Sequence, residues 1–240
     1  MIQGKFNEIQ DFFSILNSNG IPYLILRNYE NLLSPDLYVN GHGDIDMLCY
    51  NSQEIVKLIG AKTNRKDINR FIGDGTHYYF YLNGEKVSLD LRYVGDDYYC
   101  EEWQKNMLSN RLMENCYYIM NQEDYFYSLV YHAVLQKRYL SEDYKQRLSK
   151  MAKSLNISLQ SNSENEFVEL LNSFMEKNGY QYVYSKDIVV PNRFSLVDPS
   201  LIKTNYHLRW KHWKFDTKIK AIEAAVKIKH LLERKFHGHT

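Results

Sequence analysis

The stretch from His77 to Val94, HYYFYLNGEKVSLDLRYV, limits the fold more than any other part of the chain. Asn83-Gly84 is a two-residue loop of the kind that closes a β-hairpin, because both residues tolerate the positive φ that such a turn requires. On the returning side, Val87, Leu89, Leu91 and Tyr93 alternate with Lys86, Ser88, Asp90 and Arg92. Side chains alternate across a strand, so this segment has one apolar face for a core and one face carrying an acid flanked by cations. A chain with such a hairpin has to build a sheet around it.

The elements upstream agree. Phe6, Ile9, Phe12, Phe13 and Leu16 recur at helical spacing, and Gly20 stops the helix. Pro22 to Arg27 (PYLILR) and Gly43 to Tyr50 (GDIDMLCY) read as strands. Ser52 is placed to cap a short helix, EIVKLIG, that ends at Gly60. After Asp97 the pattern changes. Segments near 99–112, 122–139, 142–155 and 164–178 read as helices, with Ser141 and Ser163 as N-caps and Gly179 as a stop. Residues 180–205 are irregular, with one strand at most. From Asp216 on, Ile219, Ile222, Val226, Leu232 and Phe236 mark an amphipathic helix. The expected class is α+β: a mixed-sheet unit over residues 1–97, then a mostly helical unit over 98–240 that ends in a basic amphipathic helix.

Composition adds what the pattern cannot. The net charge of the 240-residue chain is only +1, which names no partner, but the charge is uneven. Ten Lys and Arg stand against three acids between Lys203 and Lys235, on a mildly acidic body. The basic helix therefore packs its apolar stripe on the body, lies on an anionic membrane surface, or binds a partner or nucleic acid. The aromatic and basic run LRWKHWKF (208–215) is suited to stacking on bases or sugars. Cys49, Cys100 and Cys116 lack the pair spacing of a metal site and read as free thiols in a reducing cytoplasm. Neither a secretory leader nor a membrane-spanning run is visible, so the expected location is cytoplasmic, with contact at the inner face of the membrane as an option. His230, His237 and His239 read as a solvated tail, and the 21 tyrosines as core-edge residues.

The chemistry is concentrated in carboxylates. In GDIDMLCY, Asp44, Asp46 and Leu48 share one face and Ile45, Met47 and Cys49 the other. Two carboxylates this close repel each other, and a hard divalent cation, Mg²⁺ or Mn²⁺, relieves the repulsion while also taking substrate phosphates. The same pair also reads as solvated strand-edge aspartates or a calcium site. If the strand carrying Asp90 lies alongside, Asp90 joins them, and three carboxylates can hold two metals that clamp attacking and leaving oxygens. The alternative for Asp90 is a salt bridge to Arg92 or Lys86.

The strings LILRN, GDIDMLCY and VSLDLRY, over residues 20–95, resemble uncharacterised bacterial nucleotidyltransferase-like families of the polymerase-β superfamily. That resemblance implies Asp44 and Asp46 as metal ligands, with Asp90 as third ligand and as base for the incoming hydroxyl. Many members carry a Gly-Ser pair that holds the triphosphate. The comparable stretch here is Arg27-Asn28-Tyr29, so Arg27, with Asn28 beside it, becomes the candidate phosphate contact. In the GHGD run that leads into the Asp-x-Asp pair, His42 and Gly43 are candidates for phosphate or for plain loop geometry. Lys86 and Arg92 are candidates to steady developing charge. His132 and Lys137, in YHAVLQKRYLSEDY, either reach the ligand from the helical unit or serve surface and packing roles. The implied reaction moves a nucleotidyl group from a nucleoside triphosphate to a small-molecule or glycan-precursor acceptor, with a link to surface polysaccharide biosynthesis. Nucleic acid is not an expected partner, since no long basic track shows in the first half. Two rivals stand beside this reading. One is a nucleotide-sugar glycosyltransferase of the Asp-x-Asp type, which does not need a third acid on a second strand. The other is a degenerate module that binds nucleotide or a partner without turnover.

Overall fold

The structure, a computed structural model, describes residues 5–34, 36–38, 43–63 and 77–237, with side chains described up to residue 226. The first half runs β1 (Lys5–Phe6), α1 (Ile9–Ser18), β2 (Tyr23–Ile25), β3 (Asp44–Cys49), α2 (Ser52–Ile59), β4 (Lys62–Thr63), β5 (His77–Leu82) and β6 (Glu85–Tyr93). There follow α3 (Glu101–Ser109), β7 (Leu112–Glu114), β8 (Tyr117–Ile119), α4 (Gln122–Leu135), α5 (Glu142–Ser154), α6 (Glu164–Asn178) and α7 (Tyr206–His237). The class is α+β, as the sequence pattern indicates.

The described strands form one eight-stranded mixed sheet in the order β1-β5-β6-β3-β2-β8-β7, and β4 shares an edge of β5 with β1. The hairpin turns at Asn83 (φ 48°) and Gly84 (φ 85°), the paired positive values a two-residue loop needs. β6 lies parallel to β3, with Asp46 opposite Asp90 and Met47 opposite Leu91. β3 is antiparallel to β2 on its other side.

Two cores sandwich the sheet, and alternation sorts the residues between them. Ile45, Met47, Cys49, Val87, Leu89 and Leu91 pack with α1 and α2. Leu24, Leu26 and Leu48 point the other way, into a larger core built from α3, α4, α5, α6 and the following loops. Asp44, Asp46, Asp90 and Arg92 therefore lie on the same sheet face as Leu48, the one turned towards α3–α6 and away from α1 and α2. This is the side chosen by their apolar neighbours.

Several local readings differ. Phe6 sits in β1, paired with β5, and α1 starts only at Ile9. Asn51, not Ser52, caps α2, its Oδ1 accepting from Gln53 N at 3.1 Å. Ser141 and Ser163 cap α5 and α6 as read, and Gly60 and Gly179 end their helices at φ 66°. α7 begins at Tyr206, so LRWKHWKF is helical. Beyond α3, β7 and β8 form a hairpin, and β8 pairs with β2. Segments after residue 97 thus complete the sheet, and the division at that point is a proposal about folding units. No helix among the described residues is long and apolar enough to cross a membrane. His42 and His239 lie outside the described residues.

Candidate active site

Where the sheet face meets α4 and the loop after α6, a cleft of about 360 Å³ opens, lined by Asp44, Asp46 and Asp90 together with Arg27, Arg92 and Asp187. Asn28, His132 and Lys137 also line it, so most residues singled out from the sequence meet in one place. Lys86 lies outside: its Nζ sits 4.4 Å from the centre of the Tyr79 ring. Gly43 is buried by packing. A Cβ there would come 2.6 Å from the Leu37 carbonyl oxygen and 2.6 Å from Tyr38 Cδ1, which accounts for the glycine without any phosphate.

Arg27 follows β2 and crosses to β3. Its Nη2 is 2.8 Å from Asp46 Oδ1 and its Nε donates to Asp46 Oδ2 at 3.2 Å, a two-pronged pair. Nη1 donates to the Tyr98 hydroxyl at 3.0 Å. Burial alone would loosen the Arg27 proton, but Asp46, and then Tyr98, more than offset this and keep the guanidinium charged. Asn28, in the left-handed region at φ 57°, turns the chain away and accepts at 2.9 Å from Arg147 of α5.

A second network holds Asp90. His77 faces it across the hairpin, with Nδ1 2.7 Å from Asp90 Oδ1. The other ring nitrogen is 3.6 Å from Asp187 Oδ2, to which Arg92 Nη1 donates at 3.0 Å. Pairing with Asp187 and with Asp90, against the cost of burial, raises the His77 pKa to about 10, so the ring is an imidazolium at neutral pH. Burial would raise the Asp187 pKa, but His77 and Arg92 overcome this and bring it down to about 2. Arg92 also lies 4.2 Å from the centre of the Tyr98 ring, and its buried Nε has no hydrogen-bond partner among the described residues. Tyr98 thus stands between the two arginines.

Asp44 differs from the other acids: it forms no ion pair among the described residues. Burial, and then the Asp46 and Asp90 carboxylates, raise its pKa above the usual range, with Arg27 opposing. From the helical side, His132 places Nδ1 3.1 Å from Gln136 Oε1, 3.2 Å from the Tyr98 hydroxyl and 3.4 Å from Arg27 Nη1. Burial, then Arg27 and Lys137, push its pKa well below the histidine norm, leaving a neutral imidazole.

The fit to a divalent cation follows from these contacts. Three carboxylates on one sheet face are the donor set of a hard cation. Yet among the described residues no three His, Cys, Asp or Glu side chains converge closely enough to hold a metal ion. Asp46 is turned to Arg27 and Asp90 to His77. Asp44 is the acid left for a cation, and the other two would have to loosen these partners to join it. His77, Tyr98 and Asp187 were not found by the sequence reading. A somewhat larger cleft, of about 440 Å³, lies nearby against Tyr29, Tyr125 and Arg147. Its Arg147 is already paired with Glu30.

No family model and no curated protein matches the chain. Solved structures similar to it include the following three. The antibiotic-resistance factor ANT(2'')-Ia aligns over 71% of this chain and 91% of its own, with a TM-score of 0.38 and 10% identity. An antigenic nucleotidyltransferase-like protein from Paracoccidioides brasiliensis aligns over 70% and 86%, with a TM-score of 0.41 and 13% identity. JHP933 from Helicobacter pylori aligns over 91% and 96%, with a TM-score of 0.37 and 12% identity. At such scores the chemistry has to be read from this chain's own residues.

Proposed function

We propose that the protein is a metal-dependent nucleotidyltransferase that moves a nucleotidyl group from a nucleoside triphosphate to a hydroxyl or phosphate of a small-molecule or glycan-precursor acceptor. The observation that carries this reading is the register of two parallel strands, in which Asp46 pairs with Asp90 while Asp44 stands two residues along the same face. A third acid beside the Asp-x-Asp pair is what distinguishes this chemistry from that of an Asp-x-Asp glycosyltransferase. Asp44 and Asp46, with Asp90, would hold Mg²⁺ or Mn²⁺. When bound, the ion neutralises the triphosphate and polarises the phosphorus under attack. Asp90, whose Oδ1 is bonded to His77, would take the acceptor's proton on its other oxygen. Arg27 and Lys137, which both line the cleft, would meet the phosphates, and Arg92 would keep Asp187 and His77 in position. The link to surface polysaccharide comes from the sequence resemblance.

A pyrophosphate-release assay over the four triphosphates and a panel of sugar and sugar-phosphate acceptors tests the proposal. Release by wild type, lost in Asp44→Ala and Asp90→Ala, supports it; equal behaviour of all three proteins refutes it. The binding-module reading is favoured by one observation, that Arg27 and His77 already neutralise two of the three acids. It predicts thermal stabilisation by nucleotide with Mg²⁺ and no release with any acceptor.

A further inference from the structure

α7 rests on the body along a narrow stripe. Leu208 and His212 are buried, and the His212 Nε2 lies 2.7 Å from the Ser185 carbonyl oxygen. Phe215 and Ile219 continue the stripe half-buried, and Arg138 pairs with Glu223 further along. The opposite side of the helix is apolar as well. At about 100° per residue, Tyr206, Trp210, Trp213, Thr217, Ala221 and Ala224 fall in one sector facing away from His212. Tyr206 is 79% exposed, Trp210 52% and Trp213 62%. Tryptophan is highly buried on average, and a helix whose buried face is already supplied does not need two of them outside for folding.

The borders of this sector are basic. Arg209 and Lys220 lie along one side, Lys214 and Lys218 along the other, with the Lys214 Nζ 4.0 Å from the centre of the Trp210 ring. Asp216 and Glu223 are the only acids between residues 206 and 226, and Glu223 is paired with Arg138. We propose that this outer face docks α7 on an anionic membrane surface. The tryptophan and tyrosine rings would sit at the headgroup level, with the flanking Lys and Arg against lipid phosphates.

Three features favour a bilayer over other occupants. The apolar residues hold the centre of the sector and the cations its edges, which is the layering of an interfacial helix; a nucleic-acid face puts cations along the centre, where the phosphates pass. The excess of positive charge disfavours a second copy of the same face. The 32-residue helix is long enough, at about 1.5 Å per residue, to lie flat over several headgroups. Docking would also bear on the cleft. The Ser185–Asn192 stretch that holds His212 supplies Asp187, Val189 and Pro191 to the cleft wall.

Co-sedimentation and tryptophan fluorescence with vesicles test this directly. Wild type should bind phosphatidylcholine vesicles containing about one-third phosphatidylglycerol and not pure phosphatidylcholine, with at least about tenfold weaker binding when salt rises from about 0.1 to about 0.5 M. Trp103 is fully buried, so a blue shift on binding would report Trp210 and Trp213. The double variant Trp210→Ala/Trp213→Ala should lose the shift and bind at least about tenfold more weakly, with its urea midpoint unchanged because both rings lie outside the core. No wild-type binding to the anionic vesicles overturns the proposal, as does undiminished binding by the double variant. Tight binding of single-stranded DNA or self-association, either lost in that variant and seen without vesicle binding, overturns it too. No nucleotide or turnover enters these readouts, so they stand or fall apart from the proposed transferase.

Discussion

Asp46 and Asp44 lie two residues apart on β3 in opposite surroundings. Asp46 is clasped by the buried Arg27, whereas Asp44 forms no ion pair among the described residues, feels both neighbouring carboxylates and has an exposed flank. Asp46→Ala should therefore destabilise the fold by about 3 kcal/mol or more, because a buried guanidinium is left uncompensated. Asp44→Ala should be neutral or stabilising by no more than about 1 kcal/mol, given its exposure. Urea unfolding separates the two, and equal losses would contradict this assignment. Added Mg²⁺ should raise the melting temperature of wild type and leave Asp44→Ala unmoved if Asp44 is the acid that meets the cation. The three aspartates were legible because each sits opposite an apolar neighbour whose burial fixes the face. His77 was legible too, though not used: with Asn83-Gly84 as a two-residue loop, Leu82 faces Glu85 and, counting outward, His77 faces Asp90. Asp187 was not legible. It reaches Arg92 across 95 positions from a segment without periodicity, so nothing local announces it.

The elements that position the site carry their own test at the start of β3. Gly43 stands where the 37–38 segment crosses the chain, and its lack of a Cβ is a matter of space. Gly43→Ala should cost about 1–3 kcal/mol by overpacking and should weaken nucleotide binding through the displaced Asp44. A fully stable variant in thermal and urea melts would show that the crossing relaxes easily. Strands buried on a single face, such as β6, were readable from alternation, and α5 and α6 from serine caps and a closing glycine. β7 was not, because Leu112, Met113 and Glu114 are all exposed and leave no alternation to read. Its place in the sheet comes from β8, whose Ile119 pairs with Ile25 on β2, a long-range contact the sequence does not encode locally. The start of α7 was missed for a similar reason. Between Tyr206 and Asp216 only Leu208 and His212 are buried, while tryptophans point outward and blur the stripe.

For the molecule as a whole, the buried His132 and His212 and the half-buried His77 make opposing contributions to stability as pH changes. His132 and His212 have pKa values depressed by burial, so the unfolded chain takes up their protons first and the fold loses stability as pH falls below the ordinary histidine value of about 6.5. His77 works in the other direction. Its pKa rises from 6.5 to about 10, so its contribution is fully present below 6.5 and is lost as pH climbs through 10. Asp187, held near 2 instead of 3.8, adds stability above 3.8 that is lost as pH falls through 2, well outside this window. Between pH 6.5 and about 8, below the range where the raised thiols of Cys49, Cys100 and Cys116 also fall out of step with the unfolded chain, His77 is the histidine that still titrates differently in the two states. Stability should fall across that interval by up to about 1.4 kcal/mol per pH unit, the slope of one proton. His77→Gln keeps a donor towards Asp90 while removing the proton, so it should flatten the slope and cost most at the acid end. Urea midpoints at half-unit steps would show this, and a slope surviving in His77→Gln would mean that the proton resides elsewhere than between Asp90 and Asp187. Because that imidazolium ties β5 to β6 and both to the loop after α6, the same titration should loosen the cleft wall and the sheet together. Nucleotide affinity, if the cleft binds nucleotide, should then fall over the same pH interval as stability.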